Sequence, residues 1–410
     1  FMNDTKGTSS TAAKYAASFA LGSRLFNKTD SAYAKLLREK SLTALRYSNI
    51  QPGVTQTASV RSPYIYAEDN WTDDMELAYT AVQSDKSHLD SAFWYAQQEK
   101  ITPWLGKDTA KHYQWYPFIN VGHYELAKLV KGAQRDSLIQ FYQRGIEAVW
   151  QKAKQNAFFR GIPFIWCSNN LTVAFAQQCM WYRQLTNNKQ YLALEQANID
   201  WLFGCNPWGT SMVYGLPWWG DTPVDPHSAF THIKNYPIDG GLVDGPVYTN
   251  IYKGLIGIQL QEADEYAEFQ SDLAVYHDDY GDYSTNEPTM DGTASLIYLL
   301  AAKEQEANVA AHRNRGRFAN TAANYLPFEQ QTVRPAAANP FGKQLFVSHG
   351  AVVKAKNRYH KQVALVFTGD EYAEGLPFIR KTLKDQQVKA GFFFTGRMYR
   401  NPKFKNDIQQ

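Results

Sequence analysis

Helical periodicity runs through most of the chain and constrains its fold more than any other feature. Apolar residues recur at the spacing of one helix face. With its start and stop signals, the pattern predicts helices at residues 9–26, 31–48, 73–84, 88–101, 122–131, 137–156, 171–187, 189–204, 247–262 and 292–312. Short and long loops alternate between these helices, and the long loops hold most of the Gly, Pro, Trp and His residues. We expect the functional site in the long loops, since loops on a rigid scaffold commonly carry function.

Antiparallel helix pairs that close into a ring, with long loops at one end, predict a mainly α fold, an (α/α)6 barrel. The predicted helices leave that ring without its first pair. An open helical solenoid is the competing fold, but no sequence repeat of fixed period supports it. The chain enters a helix soon after "FMNDTKG" and stops at "NPKFKNDIQQ", so we expect a fragment of a longer protein.

The pattern changes at the end of the helical region, residues 1–312. Residues 313–358 are polar and punctuated by Pro and Ala, which is typical of a linker with a short β element. Residues 359–410 contain the β-type run "QVALVFTGD", the helical "GLPFIRKTLKDQQ" and a second β-type run, "VKAGFFFTG". This order predicts the opening β-α-β unit of a separate α/β domain.

Composition excludes several classes of function. Lys and Arg number 42 against 39 Asp and Glu, and no basic run alternates with aromatics, so we expect no nucleic-acid partner. No apolar run is long enough to span a membrane. The three cysteines, Cys167, Cys179 and Cys205, are unclustered, which predicts buried thiols rather than a zinc site or a disulfide framework. Aromatic residues make up 15% of the chain, and flat rings in loops suit sugar faces as well as cores.

Carboxylates and aromatic rings are concentrated in "VYHDDYGDYSTNEPTMDG", residues 275–292. Glu287 precedes a proline, which fixes the loop just before a helix. Partial desolvation by Tyr280 and Tyr283, together with neighbouring carboxylates, would raise the proton affinity of one acid and suit it to general acid catalysis. Alternatively, the aspartates cap the next helix, which is the role expected above all for Asp291, or hold a structural cation.

The same segment resembles the proton-donor motif of glycoside hydrolase family 9, an inverting endoglucanase family, in which Asp-Tyr precedes Asn-Glu by two residues. Further segments follow the order of that family, and the resemblance covers roughly residues 8 to 304. They are "TSSTAAKYAASFALGSRLF", "DNWTDDMELAYTAV", "FIWCSNN", "FGCNPWGTSMVYG", "DPHS" and "GGLVDGPVY". The resemblance implies a six-hairpin glycosidase barrel without its first elements.

The resemblance also implies roles for individual residues. Glu287 is the general acid that protonates the leaving glycosidic oxygen, and Asp282 and Tyr283 position it. His227 contacts sugar hydroxyls, although the family's following His and Arg are replaced by Ser228 and Ala229. The other expected substrate-binding residues, some of which we expect only to pack, are Asn206, Tyr280, Trp71, Trp115, Trp166, Trp208, Trp218 and Trp219.

The base of the reaction is expected elsewhere. Inversion needs two carboxyl groups about 6.5 to 9.5 Å apart, with the attacking water between the base and the sugar. In the family an Asp-x-Gly-Asp motif upstream of the Ser-Thr-Ala-Ala helix supplies that base. We expect it in an N-terminal segment before Phe1 or in a second chain.

Two metal sites are candidates. Asp69, Asp73 and Glu76 form a hard-oxygen cluster that suits a structural calcium, although an acidic helix N-terminus explains them equally well. Residues 359–410 resemble the start of a polysaccharide deacetylase domain (NodB-like, carbohydrate esterase family 4), which implies Asp370 as a ligand for a divalent metal such as zinc. The His pair of such a site would lie beyond Gln410, and a strand-turn with incidental acids is the alternative.

We therefore expect a secreted, periplasmic or cell-surface inverting glycosidase, cleaving a β-1,4-glucan-type polysaccharide without a cofactor, fused to a deacetylase-like domain. An exo-acting β-glucosaminidase or cellodextrinase is favoured if "LPWWGDTPVDPHS" closes one end of the groove. A non-catalytic glycan-binding protein is the alternative from another class.

Overall fold

The computed structural model describes residues 5–55, 70–83, 86–99, 121–314, 345–348, 351–355, 365–369 and 375–394. Contacts divide the chain into two compact units, Phe1–Gln305 and Glu306–Gln410. No helix in the described part of the chain has both the length and the hydropathy needed to cross a bilayer.

Helices make up most of the first unit. They are α1 Ser9–Phe26, α2 Ser31–Ser48, α3 Thr72–Val82, α4 Lys86–Glu99, α5 Val121–Ala127, α6 Ala133–Ala153, α7 Ser168–Thr186, α8 Leu192–Leu202, α9 Ala229–Lys234, α10 Thr249–Lys253 and α11 Met290–Asn314. The predicted bounds of α1 and α2 are confirmed residue for residue. The short helix α9 lies in a stretch that we predicted as loop.

The predicted helix at residues 247–262 is wrong in most of its length. Strand β2, Val247–Tyr248, precedes α10, and the chain leaves the helix at Gly254. Gly257 then adopts a φ of +86°, a left-handed conformation that glycine tolerates and a continuing helix excludes. Apolar spacing suggested a helix here, and glycine stops it after Lys253.

Alternate helices, α1, α3, α5 and α7, pack against one another in chain order. Helix α1 packs on α3, α3 on α5 and α5 on α7, while α2, α4 and α8 each pair with the inner helix before them in sequence. Helix α7 is buried along nearly its whole length. The Gln177 side-chain amide donates to the Ser295 carbonyl at 2.6 Å, which joins α7 to α11. This mainly helical arrangement fits an (α/α)6 barrel.

Small residues let the first hairpin pack closely. Ala13, Ala16 and Ala20 lie on the buried face of α1, where they contact α3 through a core that contains Met75. The Ser41 hydroxyl of α2 donates to the Ala16 carbonyl at 2.8 Å. Side chains that end at Cβ make this approach possible without a cavity.

Two pairs of short antiparallel strands bring the functional loops together. Strand β1, Leu242–Val243, pairs with β4, Pro288–Thr289, so that Val243 lies opposite Pro288. Strand β2 pairs with β3, Ala274–Val275. The acidic segment is therefore held against residues 242–248 at both of its ends.

The second unit contains two further strand pairs. Strands β5, Leu345–Ser348, and β6, Ala351–Ala355, are antiparallel and lie in the predicted linker. Strands β7, Leu365–Gly369, and β8, Ala390–Phe394, are parallel and flank helix α12, Leu376–Asp385. The chain forms a β-α-β unit here, as the sequence pattern predicts.

A buried pair of a histidine and a glutamate joins α3 to α5. The Nδ1 atom of His123 lies 2.8 Å and 2.7 Å from the two carboxylate oxygens of Glu76, and both side chains are almost fully buried. Burial raises the pKa of Glu76, while the charge of His123 and its hydrogen bond oppose that shift. Glu76 therefore serves as the partner of His123, which corrects its expected place in a calcium site.

We expect replacement of His123 by alanine to destabilise the protein by about 3–5 kcal/mol, because it leaves the Glu76 carboxylate buried without its partner. The free energy of unfolding in urea measures this loss. Lys128→Ala is the matched control: it breaks the exposed Lys128–Glu125 pair at 2.7 Å and should cost no more than about 1 kcal/mol. Equal losses in the two variants would contradict the structural role of the buried pair.

Candidate active site

Asp278 fastens the acidic segment to the loop before α9. Its carboxylate accepts hydrogen bonds from the backbone N–H groups of Val224 at 2.6 Å and Asp225 at 3.2 Å. It also accepts one from the Asn286 amide at 2.9 Å. Burial raises the pKa of Asp278, and these hydrogen bonds oppose the shift. The carboxylate replaces the backbone acceptors that a loop lacks.

Asp279 does the same for the loop after α10. One oxygen accepts from the backbone N–H groups of Gln261 at 2.8 Å and Glu262 at 3.0 Å, and the other accepts from Gly281 at 2.6 Å. Neighbouring aspartates thus hold different loops, and both loops are fixed to residues 278–281.

Asp282 organises the turn that leads to Glu287. It is fully buried and accepts hydrogen bonds from Nδ1 of His277 at 2.7 Å, from Thr285 Oγ1 at 2.8 Å and from both the backbone and the hydroxyl of Ser284 at 2.8 and 2.6 Å. Burial opposes ionisation, but these hydrogen bonds together lower the pKa of Asp282. An ionised, buried Asp282 therefore fixes the turn from within and does not face the solvent.

Glu287 is held by its neighbours on both sides. The Asn286 carbonyl accepts from the His227 N–H at 2.9 Å, and the carbonyl of Glu287 itself accepts from the Asp244 N–H at 2.9 Å. The residue lies at the surface. Partial burial of its carboxyl raises the pKa of Glu287, and His227 opposes this shift. The backbone at Glu287 is thus fixed in position, and its carboxyl keeps its proton to a higher pH than a fully solvated glutamate.

Aromatic rings surround this carboxyl's turn. The rings of Trp166 and Tyr283 are nearly parallel, at 9° with centroids 6.4 Å apart. The ring of His227 stacks on Tyr280 at 5.1 Å and meets the edge of Tyr283 at 6.2 Å. His227 Nδ1 also bonds to the Tyr280 carbonyl, which makes Nε2 the acceptor of the neutral ring. We call Trp166, His227, Tyr280 and Tyr283 the aromatic group.

Other predicted substrate-binding residues lie away from this group or inside the fold. Trp208 is only 5% exposed, packs against Trp201 and Tyr276, and donates to the Gln270 side chain at 3.1 Å. Asn206 is equally buried and donates to the Trp201 and Thr210 carbonyls at 2.8 and 2.7 Å. Both residues therefore pack and hydrogen-bond within the fold around the turn after α8.

The remaining predicted tryptophans differ in their surroundings. Trp218 and Trp219 are 49% and 66% exposed, with rings in edge contact at 5.5 Å. Trp71 packs edge-on against Tyr95 in the core beside α1 and α3. Trp115 lies outside the described residues.

Cys205 is exposed, which corrects the expectation that all the thiols are buried.

The described residues form no metal centre. No group of three or more His, Cys, Asp or Glu side chains in that part of the chain could hold a metal ion. Asp73 is buried in the first turn of α3, and Asp69 and Asp370 lie outside the described residues.

Sequence reasoning missed the bridging residues of the site. The Asn286 amide joins Asp278 to the Asp225 carbonyl, with both bonds at 2.9 Å, and the Tyr276 hydroxyl donates to the same side chain at 3.3 Å. His277 lies between two aspartates: its Nδ1 is 2.7 Å from Oδ2 of Asp282, and its Nε2 is 3.8 Å from Oδ2 of Asp264. Aspartates beside Gly, Ser and Thr are a known signal for loop hydrogen bonding, but it does not identify distant partners.

Comparison with known proteins identifies the family. The sequence matches the model of glycosyl hydrolase family 9 over residues 1–300. The chain belongs to glycosyl hydrolase family 9. No curated protein matches it significantly.

Solved structures share this fold. A metagenome-derived family 9 endoglucanase is 23% identical, with a TM-score of 0.54 over 71% of this chain and 51% of that chain. A thermostable endoglucanase mutant from Alicyclobacillus acidocaldarius is 20% identical, with a TM-score of 0.56 over 71% and 54%. The cellulase Cel9M of C. cellulolyticum in complex with cellobiose is 16% identical, with a TM-score of 0.51 over 72% and 64%. The present chain thus spans about half the length of the first structures it matches.

We expect Asp282→Asn to destabilise the protein by about 1–3 kcal/mol at neutral pH, because an amide cannot accept from all of the donors around this buried site. The lowered pKa of Asp282 fixes the pH dependence. The stabilisation by ionised Asp282 is complete above the pKa of an aspartate in the unfolded chain, about 4. It is lost as the pH falls through the lower pKa of Asp282 in the folded protein. Urea unfolding of both proteins from pH 7 to pH 3 should show the difference shrinking. Asp239→Asn, at an exposed position, is the control, and a difference that does not vary with pH would contradict an ionised Asp282.

Proposed function

We propose that the chain carries the general acid of an inverting, endoglucanase-type glycoside hydrolase that cleaves β-1,4-glucan or a related glycan. The observation that carries this proposal is Glu287: its carboxyl has a raised pKa, and its backbone is anchored on both sides in the segment that carries Tyr280 and Tyr283 of the aromatic group. Family membership supports the reaction class. The rings of the aromatic group offer the flat apolar surfaces that sugar rings bind.

The chemistry follows from these positions. Glu287 gives its proton to the glycosidic oxygen as the bond to the leaving sugar breaks, and becomes a carboxylate. Asp282 stays ionised and holds the turn, so the two acids perform different tasks because their surroundings differ. Nδ1 of His227 is engaged by the Tyr280 carbonyl, which leaves Nε2 to contact a sugar hydroxyl.

With the base supplied by the complete enzyme or replaced by azide, we expect Glu287→Gln to lower the cleavage of unactivated oligosaccharides by about 10²- to 10⁴-fold, because the amide has no proton to give. Binding of the same oligosaccharide, measured by calorimetry, should be unchanged. An aryl glycoside whose leaving group needs no protonation should lose much less. Glu268→Gln makes the same change at an exposed position and should behave as the unmodified protein.

This experiment also separates the proposal from the alternative of a glycan-binding protein without catalysis. If the unmodified chain binds oligosaccharides and cleaves none even when azide is supplied in place of the base, and Glu287→Gln changes nothing, the hydrolase assignment is wrong. Equal hydrolysis by the variant and the unmodified enzyme would remove Glu287 as the acid.

The inverting reaction also requires a base that activates water. We infer that this carboxylate comes from a segment before Phe1 or from a second chain, because the family resemblance places the Asp-x-Gly-Asp motif upstream of α1. Within the described residues, the resemblance assigns no position to the base.

Azide tests this inference, since a small anion can attack the sugar without a base. We expect sodium azide to accelerate turnover of an activated β-aryl glycoside by the present chain and to yield the α-glycosyl azide, the product of inversion. Chromatography and proton NMR identify that product. Glu287→Gln should retain this reaction with an activated leaving group. Rapid hydrolysis by the chain alone, with no effect of azide, would place the base within the present sequence.

A further inference from the structure

Arg160 is a buried arginine in the loop between α6 and α7. Only 6% of the residue is exposed. Its backbone N–H donates to Oδ1 of Asn156 at 2.9 Å, and its Nη1 donates to Oγ1 of Thr172, in α7, at 2.6 Å. The Arg160 side chain therefore ties the loop that carries Trp166 to the most deeply buried helix of the first unit.

The other edge of this guanidinium has donors without acceptors. Nε and Nη2 of Arg160 are buried, and neither has a hydrogen-bond partner among the described residues. These two nitrogens direct N–H groups to the same side of the guanidinium, so one anion can accept from both. Arg183 shows this arrangement in the same chain, since its Nε and Nη2 donate to the two carboxylate oxygens of Glu195 at 2.9 and 2.7 Å. Arg160 presents the same pair of donors, but no described carboxylate accepts from them.

Arg160 carries its positive charge inside the fold. Burial lowers the pKa of Arg160 to about 9, and Tyr248 opposes this shift, so the guanidinium stays charged at neutral pH. Its Cζ atom lies over the ring of Trp201 at 4.3 Å and over that of Phe164 at 4.8 Å. The ring faces offset part of the cost of burying a cation, but they supply no countercharge. Buried charges in proteins are paired, so this guanidinium needs an anion that the described residues do not provide.

We propose that Arg160 binds a small monovalent anion of the chloride type on the edge formed by Nε and Nη2. One guanidinium balances one negative charge, whereas sulfate or phosphate would bring a second charge into a buried site. The anion accepts from both N–H groups and stabilises the loop between α6 and α7 against α7. A buried water is the alternative occupant, but it leaves the charge of Arg160 unbalanced. The proposal does not depend on the role of Glu287.

The dependence of folding on chloride tests the proposal. All tryptophans of the chain precede residue 220, so tryptophan fluorescence during urea unfolding reports on the first unit. Unfolding is measured at one ionic strength while chloride replaces gluconate, an anion too large for a buried site of this kind. Above the Kd of the site, we expect the folding equilibrium constant to rise about tenfold for each tenfold rise in chloride. This is the dependence for one ion that binds the folded protein alone.

A pair of matched variants separates the site from general effects of salt. Arg160→Met removes the charge and keeps an unbranched side chain, and its folding equilibrium constant should no longer rise with chloride. Arg144→Met makes the same change at an exposed position and should respond to chloride as the unmodified protein does. The proposal is overturned if the unmodified protein does not respond, or if Arg160→Met responds equally.

Bromide keeps the test decisive if Arg160→Met does not fold. Bromide has the charge of chloride and nearly its size, and its anomalous X-ray scattering distinguishes it from water. In crystals of the unmodified protein soaked in sodium bromide, we expect an anomalous peak within hydrogen-bond distance of both Nε and Nη2 of Arg160. Electron density for a water at that position, without anomalous signal, would show a neutral occupant and overturn the proposal.

Discussion

Hydrogen bonds from loop backbones to buried carboxylates are the constraint on which the candidate site depends. A loop has no internal ladder of hydrogen bonds, so its N–H groups need acceptors from elsewhere. Asp278 and Asp279 supply them to the loops at residues 224–225 and 261–262. Hydrogen bonds to a charged acceptor contribute about 1.5–3 kcal/mol each, enough to hold such loops in one conformation. His227, Tyr280, Tyr283 and Glu287 lie on the segments joined in this way.

The helical barrel gives these loops their common anchor. At the start of the buried helix α7, the Ser168 hydroxyl donates to the Pro246 carbonyl at 2.6 Å, and the Asn169 amide donates to the Val243 carbonyl at 2.9 Å. Gly245 adopts a φ of +87°, and a Cβ atom there would meet the Asn169 side chain at 2.3 Å. Only glycine therefore allows this close approach. The core helix thus fixes the strand pair that carries Asp244 and Glu287.

The sequence predicted local features well because local features follow from periodicity. The bounds of α1 and α2, the β-α-β unit around α12 and the loop position of Glu287 depend on neighbouring residues. The sequence could not predict hydrogen-bond partners that lie far apart in the chain: Asp278 bonds to Val224, 54 residues away, and His123 bonds to Glu76, 47 residues away. Glu76 was predicted as a calcium ligand and Trp208 as a sugar-binding ring because the sequence does not reveal their distant partners in the fold. Composition identifies a carboxylate or a ring, but tertiary packing decides what it contacts.

Differences in hydrogen bonding separate the acids of this segment by function. Asp282 and Glu287 are only five residues apart, yet four donor groups lower the pKa of the first, while burial raises that of the second. A carboxyl surrounded by donors is held as an anion and serves structure, because losing its charge would leave those donors unpaired. A carboxyl with few donors keeps a proton that it can give away. Asp244, whose Oδ1 has no partner among the described residues, likewise has a pKa raised by burial, in contrast to Asp282.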